Sequence, residues 1–93
     1  MIMFSVGVFA SRQMTSIEYV DLPSTHEYVP YAVIVPHHVS SEFVRFIHPS
    51  NGKSVVATVV DRRGDHYKVD PSLGAAMDLT NPQSDNVFVE DIY

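Results

Sequence analysis

The chain has 93 residues, of which 45% are hydrophobic and 18% are charged, and this balance excludes an intrinsically disordered chain. It contains no cysteine, so disulfide frameworks and thiolate metal sites are excluded as well. The formal net charge is −5, with only six Lys and Arg residues. Because phosphate binding depends on clustered basic side chains, we expect no nucleic-acid partner. This length predicts a single domain over residues 1–93.

The N-terminal segment 1–10 is apolar, and its alternation and β-branched content predict a first strand at residues 5–10. The segment lacks the basic leading region of a signal peptide and is too short to span a bilayer. We therefore expect no export signal and no membrane span. The sequence leaves localisation open between the cytoplasm and a virion.

Runs of β-forming residues predict most of the remaining structure. Residues 11–29 are mixed and polar, and we expect a long loop there with one short strand near 17–20. Further strands are predicted at 31–35, 43–47, 54–60 and 87–92. The strand at 54–60 is apolar on both faces, as in a closed barrel or the centre of a sandwich. Asn51-Gly52 predicts a β-hairpin, because both residues tolerate positive φ.

A short helix is predicted after residue 69. Asp70 can cap the free N–H groups of the first turn, and Pro71 fits that turn because its missing donor costs nothing there. Gly74 in the helix interior costs roughly 1 kcal/mol relative to alanine, which indicates a close packing contact. The expected buried face of this helix of about two turns comprises Leu73, Ala76, Met77 and Thr80. Strands followed by one helix and a closing strand predict a mostly β fold, a small barrel with the helix at one opening.

Several short motifs in the second half of the chain resemble one barrel family. They are Asn51-Gly52-Lys53-Ser54, a valine-rich strand, Asp61-Arg62, and Asp70-x-Ser72-x-x-Ala75-Ala76-x-x-Leu79. This pattern resembles the double-psi β-barrel of the rare-lipoprotein-A type, which is related to the first domain of expansins and to barwin-like glycan binders. The match covers about residues 43–92 and implies a six-stranded double-psi barrel in which loops cross with pseudo-twofold symmetry.

The resemblance also carries an expected activity. Relatives include lytic transglycosylases that cut peptidoglycan, in which the aspartate of an Asp-Arg-Gly-Pro motif is catalytic, and Asp61 stands at that position. This chain departs from the family pattern, with Arg63-Gly64 in place of Gly-Pro and Pro71 in place of leucine. The family often places a histidine in the strand before 43–47. Here His37 and His38 follow the corresponding position by two and three residues.

Glycan cleavage needs a carboxyl group with a raised pKa that first donates and later accepts a proton. Asp61 follows an apolar strand and can be desolvated there; alternatively it caps a turn or pairs with Arg62 or Arg63. Asp70 can supply a second carboxylate, since such pairs stand about 5–10 Å apart in glycosidases. Its alternative is the helix N-cap.

His37 and His38 are candidate substrate or proton-relay groups, or simply a polar exit from the strand. Adjacent strand residues point to opposite faces, and no third ligand has a recognisable spacing, so we expect no metal site and no cofactor. Arg62, His66 and Tyr67 are predicted to contact substrate. The candidate sugar-stacking rings, or alternatively ordinary surface residues, are Tyr19, Tyr28, Tyr31 and Tyr67.

Two functions follow from these patterns, and an enzyme of another class on the same barrel stays open because fold alone does not decide function. The first is a module that binds cell-wall glycan or serves a structural role, for example in a phage virion or tail. The second is a lytic transglycosylase-like enzyme with Asp61 as the general acid and base. The expected partner is accordingly peptidoglycan or a related polysaccharide, or a protein in an assembly. A phage particle or release by lysis would bring a chain without an export signal to the cell wall.

Overall fold

The computed structural model describes residues 12–22, 31–79, 81 and 84–93, which form a closed six-stranded β-barrel with one short helix. This confirms the predicted mostly β fold class. The elements are β1 (Gln13–Tyr19), β2 (Ala32–Val35), β3 (Phe43–Ile47), β4 (Ser54–Arg62), β5 (Tyr67–Val69), α1 (Pro71–Ala76) and β6 (Ser84–Ile92). The strand predicted at 5–10, together with Tyr28 and Thr80, lies outside the described residues.

The strands follow the order β1-β5-β2-β4-β3-β6 around the barrel. The β1–β5 and β2–β4 pairs are parallel, and the other four pairs are antiparallel. Exchanging β1 with β4, β2 with β5 and β3 with β6 reproduces every pair and its direction. The barrel therefore consists of two halves of three strands with the same connectivity, in which α1 takes the place of loop 36–42.

The strand directions place the connecting loops at the two ends of the barrel. One end, here called the loop end, carries loops 36–42 and 63–66 and the last residue, Tyr93. The opposite end, here called the helix end, carries the hairpin loop 48–53 and α1. At the loop end the two loops are joined through their backbones, because the N–H of His37 donates to the carbonyl of Gly64 at 3.2 Å.

Every strand and α1 contribute side chains to one buried core. The ring of Phe46 meets the edge of Tyr67 at a centroid distance of 5.9 Å and an interplanar angle of 89°. Full burial of a large apolar side chain contributes about 1.5–3 kcal/mol, so the barrel interior is the main source of stability. The core residues are Ile17, Val33, Val35, Val39, Val44, Phe46, Ala57, Tyr67, Val69, Leu73, Met77, Val87 and Val89.

β4 contains a bulge that decides the direction of Asp61. Val33 of β2 lies opposite Val59, but the next residue, Ile34, lies opposite Asp61, so Val60 is the extra residue. Strict alternation from the core-facing Val59 would point Asp61 inward. The bulge instead places Asp61 beside Ile34 on the outer face, since paired residues share a face of the sheet. The strand also runs two residues beyond the predicted 54–60, ending at Arg62.

The helix begins as predicted and ends earlier. Asp78 has φ 63°, and its N–H donates to the carbonyl of Ala75 at 3.1 Å. The N–H of Leu79 donates to the carbonyl of Gly74 at 2.9 Å, completing a Schellman closure. This closure stops α1 at Ala76, and Ala76 is exposed where the sequence predicted it buried. The buried helix residues are Leu73 and Gly74, followed by the cap residue Met77.

The remaining predictions were partly confirmed. The predicted strand at 43–47 agrees with β3, and the one predicted at 31–35 agrees with β2 except for its first residue. β1 is a full strand of seven residues where only a short one near 17–20 was expected. β5 was missed, because no strand was predicted between residue 60 and the helix. The hairpin is present with a six-residue loop, in which Gly52 has φ 76° and Asn51 does not use positive φ. Asn51 instead donates from Nδ2 to the carbonyl of Met77 at 3.2 Å.

Candidate functional site

Asp61 lies on the outer face near the loop end, and both of its carboxylate oxygens are engaged. Oδ1 accepts the backbone N–H of Arg62 at 2.8 Å, and Oδ2 lies 3.4 Å from Nε of Arg63. The side chain is 50% exposed, so burial does not desolvate it. Within the described residues, no histidine side chain forms a hydrogen bond with Asp61. The arrangement matches the alternative in which Asp61 caps a turn and pairs with an arginine.

Arg62 lies on the opposite side of β4 and holds loop 36–42 in place. It is paired with the core residue Val35, so the bulge brings it to the inner side of the barrel mouth. Its Nε donates to the carbonyl of Val39 at 2.9 Å, and its Nη2 donates to the carbonyls of Ser41 at 2.8 Å and Ser40 at 3.4 Å. A planar guanidinium suits such a fork of acceptors. Arg62, predicted to contact substrate, here clamps a loop.

The histidines lie at the loop end but do not converge on Asp61. His37 and His38 occupy an exposed turn after β2, and the Nε2 atom of His66 lies 3.2 Å from a carboxylate oxygen of Asp65. No group of three or more His, Cys, Asp or Glu side chains in the described residues is arranged to hold a metal ion. The exposed histidines can therefore contact a ligand, but the geometry gives none of them a proton-relay partner in Asp61.

Asp70 acts as the N-cap of α1. Its Oδ1 accepts the N–H of Ser72 at 2.9 Å, and its Oδ2 accepts the N–H of Leu22 at 3.2 Å. The hydrogen bond from Ser72 is the main cause that lowers the pKa of Asp70 below its ordinary value. A general acid needs the opposite shift, a raised pKa.

Asp61 and Asp70 do not form a facing pair of carboxylates. Asp61 aligns through Ile34 with Lys68, so Asp70 stands two strands and two residues away. These steps separate the two α carbons by roughly 10 Å across the sheet and 7 Å along it. The Asp70 side chain is moreover held at the helix end by its capping hydrogen bonds, whereas Asp61 is held by Arg63.

The three candidate stacking rings that the structure describes are wholly or partly buried. Tyr67 is only 8% exposed, and its burial, followed by the nearby Asp91 and Tyr93, raises its pKa to about 12. The hydroxyl of Tyr19 donates to Oδ2 of Asp85 at 2.8 Å, and burial raises the pKa of that phenol as well. Tyr31 is half-buried against the core.

Two surface depressions lie at or beside the loop end. The first, of about 540 Å³, is here called the charged depression; the second, of about 360 Å³, is called the aromatic depression. The charged depression is lined by Arg63, Gly64, Asp65, His66 and Lys68. The aromatic depression is lined by Ser40, Ser41, Glu42, Phe43, Ile92 and Tyr93.

Sequence reasoning found His66 in the first depression but missed Lys68 and the whole of the second. A signal for Phe43 was present in the sequence. If Val44 and Phe46 of β3 face the core, alternation turns Phe43 outward. For Lys68 there was no such signal, because β5 itself was not predicted.

The sequence matches no protein-family model, no curated protein and no solved structure in the comparisons made. No helix in the described residues has the length and apolar character that crossing a bilayer requires. The family resemblance thus rests on the motif residues and on the barrel itself.

Proposed function

We propose that this chain is a double-psi β-barrel module of the rare-lipoprotein-A type that binds cell-wall glycan without cleaving it. The barrel supports this assignment because its two halves of three strands have the same pairings and directions, as expected of a pseudo-twofold barrel. The motif residues also occupy consistent places. Asp70 and Ser72 form the start of α1, and Asp61-Arg62 end the valine-rich β4.

The charged depression is the observation that carries glycan binding. Its rim combines the cations of Arg63 and Lys68 with the carboxylate of Asp65 and the imidazole of His66. Lys68 and Asp61 are the two neighbours of Ile34 in one row of the outer face, so Asp61 lies on the same face of the sheet as Lys68, two strands away. Peptidoglycan carries carboxylates and amines along its peptide stems, and such a mixed rim complements both kinds of charge.

The environment of the carboxylates favours binding over cleavage. Asp61 is half-exposed and paired with Arg63, whereas a general acid needs an apolar site that raises its pKa. Asp70 is committed to the helix cap, and its pKa is lowered. Neither group has the environment that proton transfer to a glycosidic oxygen requires.

A structural role in an assembly, such as a phage virion or tail, is the second candidate. It is favoured by Val56 and Val60, which are 39% and 45% exposed on the outer face of β4. This candidate expects a defined oligomer in light scattering, and substitution of Val60 by Asp is expected to dissociate it. A monomer that needs no partner would remove the reason for preferring an assembly role.

The proposal is tested by sedimentation with insoluble purified peptidoglycan. We expect the wild-type protein to pellet and the Lys68→Ala variant to pellet several-fold less. Lys53→Ala is the matched control, because it removes one positive charge at the helix end, far from the depression. A wild-type protein that stays in the supernatant would overturn the proposal. Equal losses for Lys68→Ala and Lys53→Ala would instead indicate unspecific charge attraction and also count against it.

A further inference from the structure

The aromatic depression presents two exposed rings. Phe43 is 38% exposed and Tyr93 is 68% exposed. Phe43 and Ile92 are paired neighbours on β3 and β6, so they form an apolar wall on the outer face. A volume of about 360 Å³ lies in the range of small-ligand sites, which are mostly apolar with a few polar groups.

Polar groups surround this apolar wall. Ser40 and Glu42 are exposed, whereas Ser41 is only 2% exposed. The Oγ atom of Ser41 has no hydrogen-bond partner within the part of the chain that the structure describes. Buried hydroxyls without a partner are costly, so each one needs an explanation. Because this Oγ is closed off from solvent, Ser40 and Glu42 are the polar side chains of the lining that a ligand can reach.

The polar groups are held in a fixed arrangement. The guanidinium of Arg62 binds the carbonyls of Ser40 and Ser41, and the N–H of Val59 donates to the carbonyl of Glu42 at 2.9 Å. Side chains on a braced backbone lose less freedom when a ligand binds. Loop 36–42 also links this depression to the charged one, since His37 is bonded to Gly64.

We infer that the aromatic depression is a stacking subsite for an uncharged pyranose ring, of the N-acetylhexosamine class, in a glycan strand. This inference rests on the proposed function and assigns it a sugar-binding subsite. The rings of Phe43 and Tyr93 pack against the C–H face of the sugar, while hydroxyl and carboxylate groups bind its hydroxyls. Glu42 is the one charged side chain in the lining, so an acidic sugar is disfavoured.

Titration with a soluble N-acetylglucosamine tetramer, followed by amide NMR shifts, tests this subsite. We expect shifts at residues 40–43 and 92–93. Tyr93→Ala is expected to weaken binding about tenfold, the scale of losing an interface aromatic residue. Tyr93→Phe keeps the ring and is expected to bind like the wild type. Met14→Ala is the matched control, because Met14 is a 53% exposed apolar residue on β1.

Tyr93 is chosen because it lies beyond the last residue of β6 and its removal leaves the barrel pairings intact. Phe43→Ala provides a second variant with the same expected loss. If Tyr93→Ala binds the tetramer as tightly as the wild type, the subsite is refuted. If, in addition, the wild-type protein still pellets with peptidoglycan, the proposed function stands and only the subsite fails. A wild-type protein that neither pellets nor binds the tetramer refutes both.

Discussion

Gly74 lies in the interior of α1, directly against the ring of Tyr19. A Cβ at this position would stand 2.7 Å from Cε1 and Cζ of Tyr19 and closer still to its Oη. The sequence alone indicated a packing reason for this glycine, because alanine is the better helix former by roughly 1 kcal/mol. The structure supplies the reason, since Tyr19 is itself anchored through its bond to Asp85.

We predict that Gly74→Ala destabilises the protein by about 1–3 kcal/mol, since overpacking outweighs the gain in helix propensity. Urea unfolding measures this change. In a Tyr19→Ala background, the same substitution is expected to become neutral or stabilising, because the obstructing ring is gone. Stabilisation by Gly74→Ala in the wild-type background would contradict the contact.

Asp70 is predicted to stabilise the protein in a pH-dependent way. Replacing an N-cap aspartate with alanine costs about 1 kcal/mol, and we expect Asp70→Ala to lose about that much at pH 7. The folded pKa of Asp70 lies below its unfolded value. The ionised form therefore contributes stability above about pH 4, and this contribution disappears as the pH falls through the lower folded pKa.

The measurement is the free energy of unfolding of wild-type and Asp70→Ala protein between pH 2 and pH 7. The difference is expected to shrink toward the acid end of that range. Asp70→Asn, which keeps an acceptor oxygen, is expected to lose less than Asp70→Ala. A constant difference at all pH values would show that the charge of Asp70 contributes nothing to the cap.

At the scale of elements, the clamp between β4 and loop 36–42 depends on one of two adjacent arginines. Removal of the Arg62 guanidinium leaves the carbonyls of the buried residues Val39 and Ser41 without their donor. An unsatisfied buried polar group costs about 1–3 kcal/mol. Arg63, by contrast, makes a surface ion pair with Asp61, and such pairs contribute about 0–1 kcal/mol.

We predict that Arg62→Ala lowers the free energy of unfolding by about 1–3 kcal/mol. Arg62→Lys is expected to restore only part of the loss, because an ammonium cannot reproduce the planar fork. Arg63→Ala serves as the adjacent control, with an expected change within about 0.5 kcal/mol. Equal effects of Arg62→Ala and Arg63→Ala in urea unfolding would contradict the clamp.

The sequence predicted some elements well because their signals are local. β3 agrees over residues 43–47, and the start of α1 follows from Asp70 and Pro71, whose capping chemistry is decided within a few residues. β5 was missed because it has three residues and one of them is Lys68. The bulge at Val60 left no signal, since an extra residue is visible only when the partner strand is known.

This bulge is the main reason why the candidate site differs from its prediction. Desolvation of Asp61 was one of two alternatives that the sequence left open, and strict alternation along the apolar strand favours it. The register shift against β2 turns Asp61 to the outer face and brings Arg62 to the inner side of the barrel mouth. Two of the candidate stacking rings face inward, since Tyr67 belongs to the core and Tyr19 is partly buried against it. Among the described residues, Phe43 and Tyr93 are the exposed aromatic side chains.

At the scale of the whole molecule, closure and strand order come from contacts between distant residues. The parallel pairs β1–β5 and β2–β4 join segments that are not consecutive in the chain. A mostly β barrel with one helix was predictable from the order of elements. The internal symmetry, in which the two three-strand halves have the same connectivity, was expected only through the family resemblance. The strand pairings agree with it.

The two ends of the barrel differ in the features that they carry. The helix end is stabilised by caps and by the hairpin, where Asn51 bonds to Met77 and Lys53 pairs with Asp78. The loop end and the outer surface beside it carry both depressions and most of the site residues singled out in the sequence. We therefore expect substitutions at the helix end to change stability, and substitutions in the linings of the two depressions to change glycan binding.

The central claim is that this barrel holds glycan without cutting it, and one assay tests both parts. Wild-type and Asp61→Asn protein are incubated with insoluble peptidoglycan at several pH values between 4 and 8, and pellet and supernatant are analysed by mass spectrometry. We predict that both proteins pellet to the same extent and that neither releases anhydro-ended muropeptides. Release by the wild type that Asp61→Asn abolishes, or absence of the wild type from the pellet, would contradict the claim.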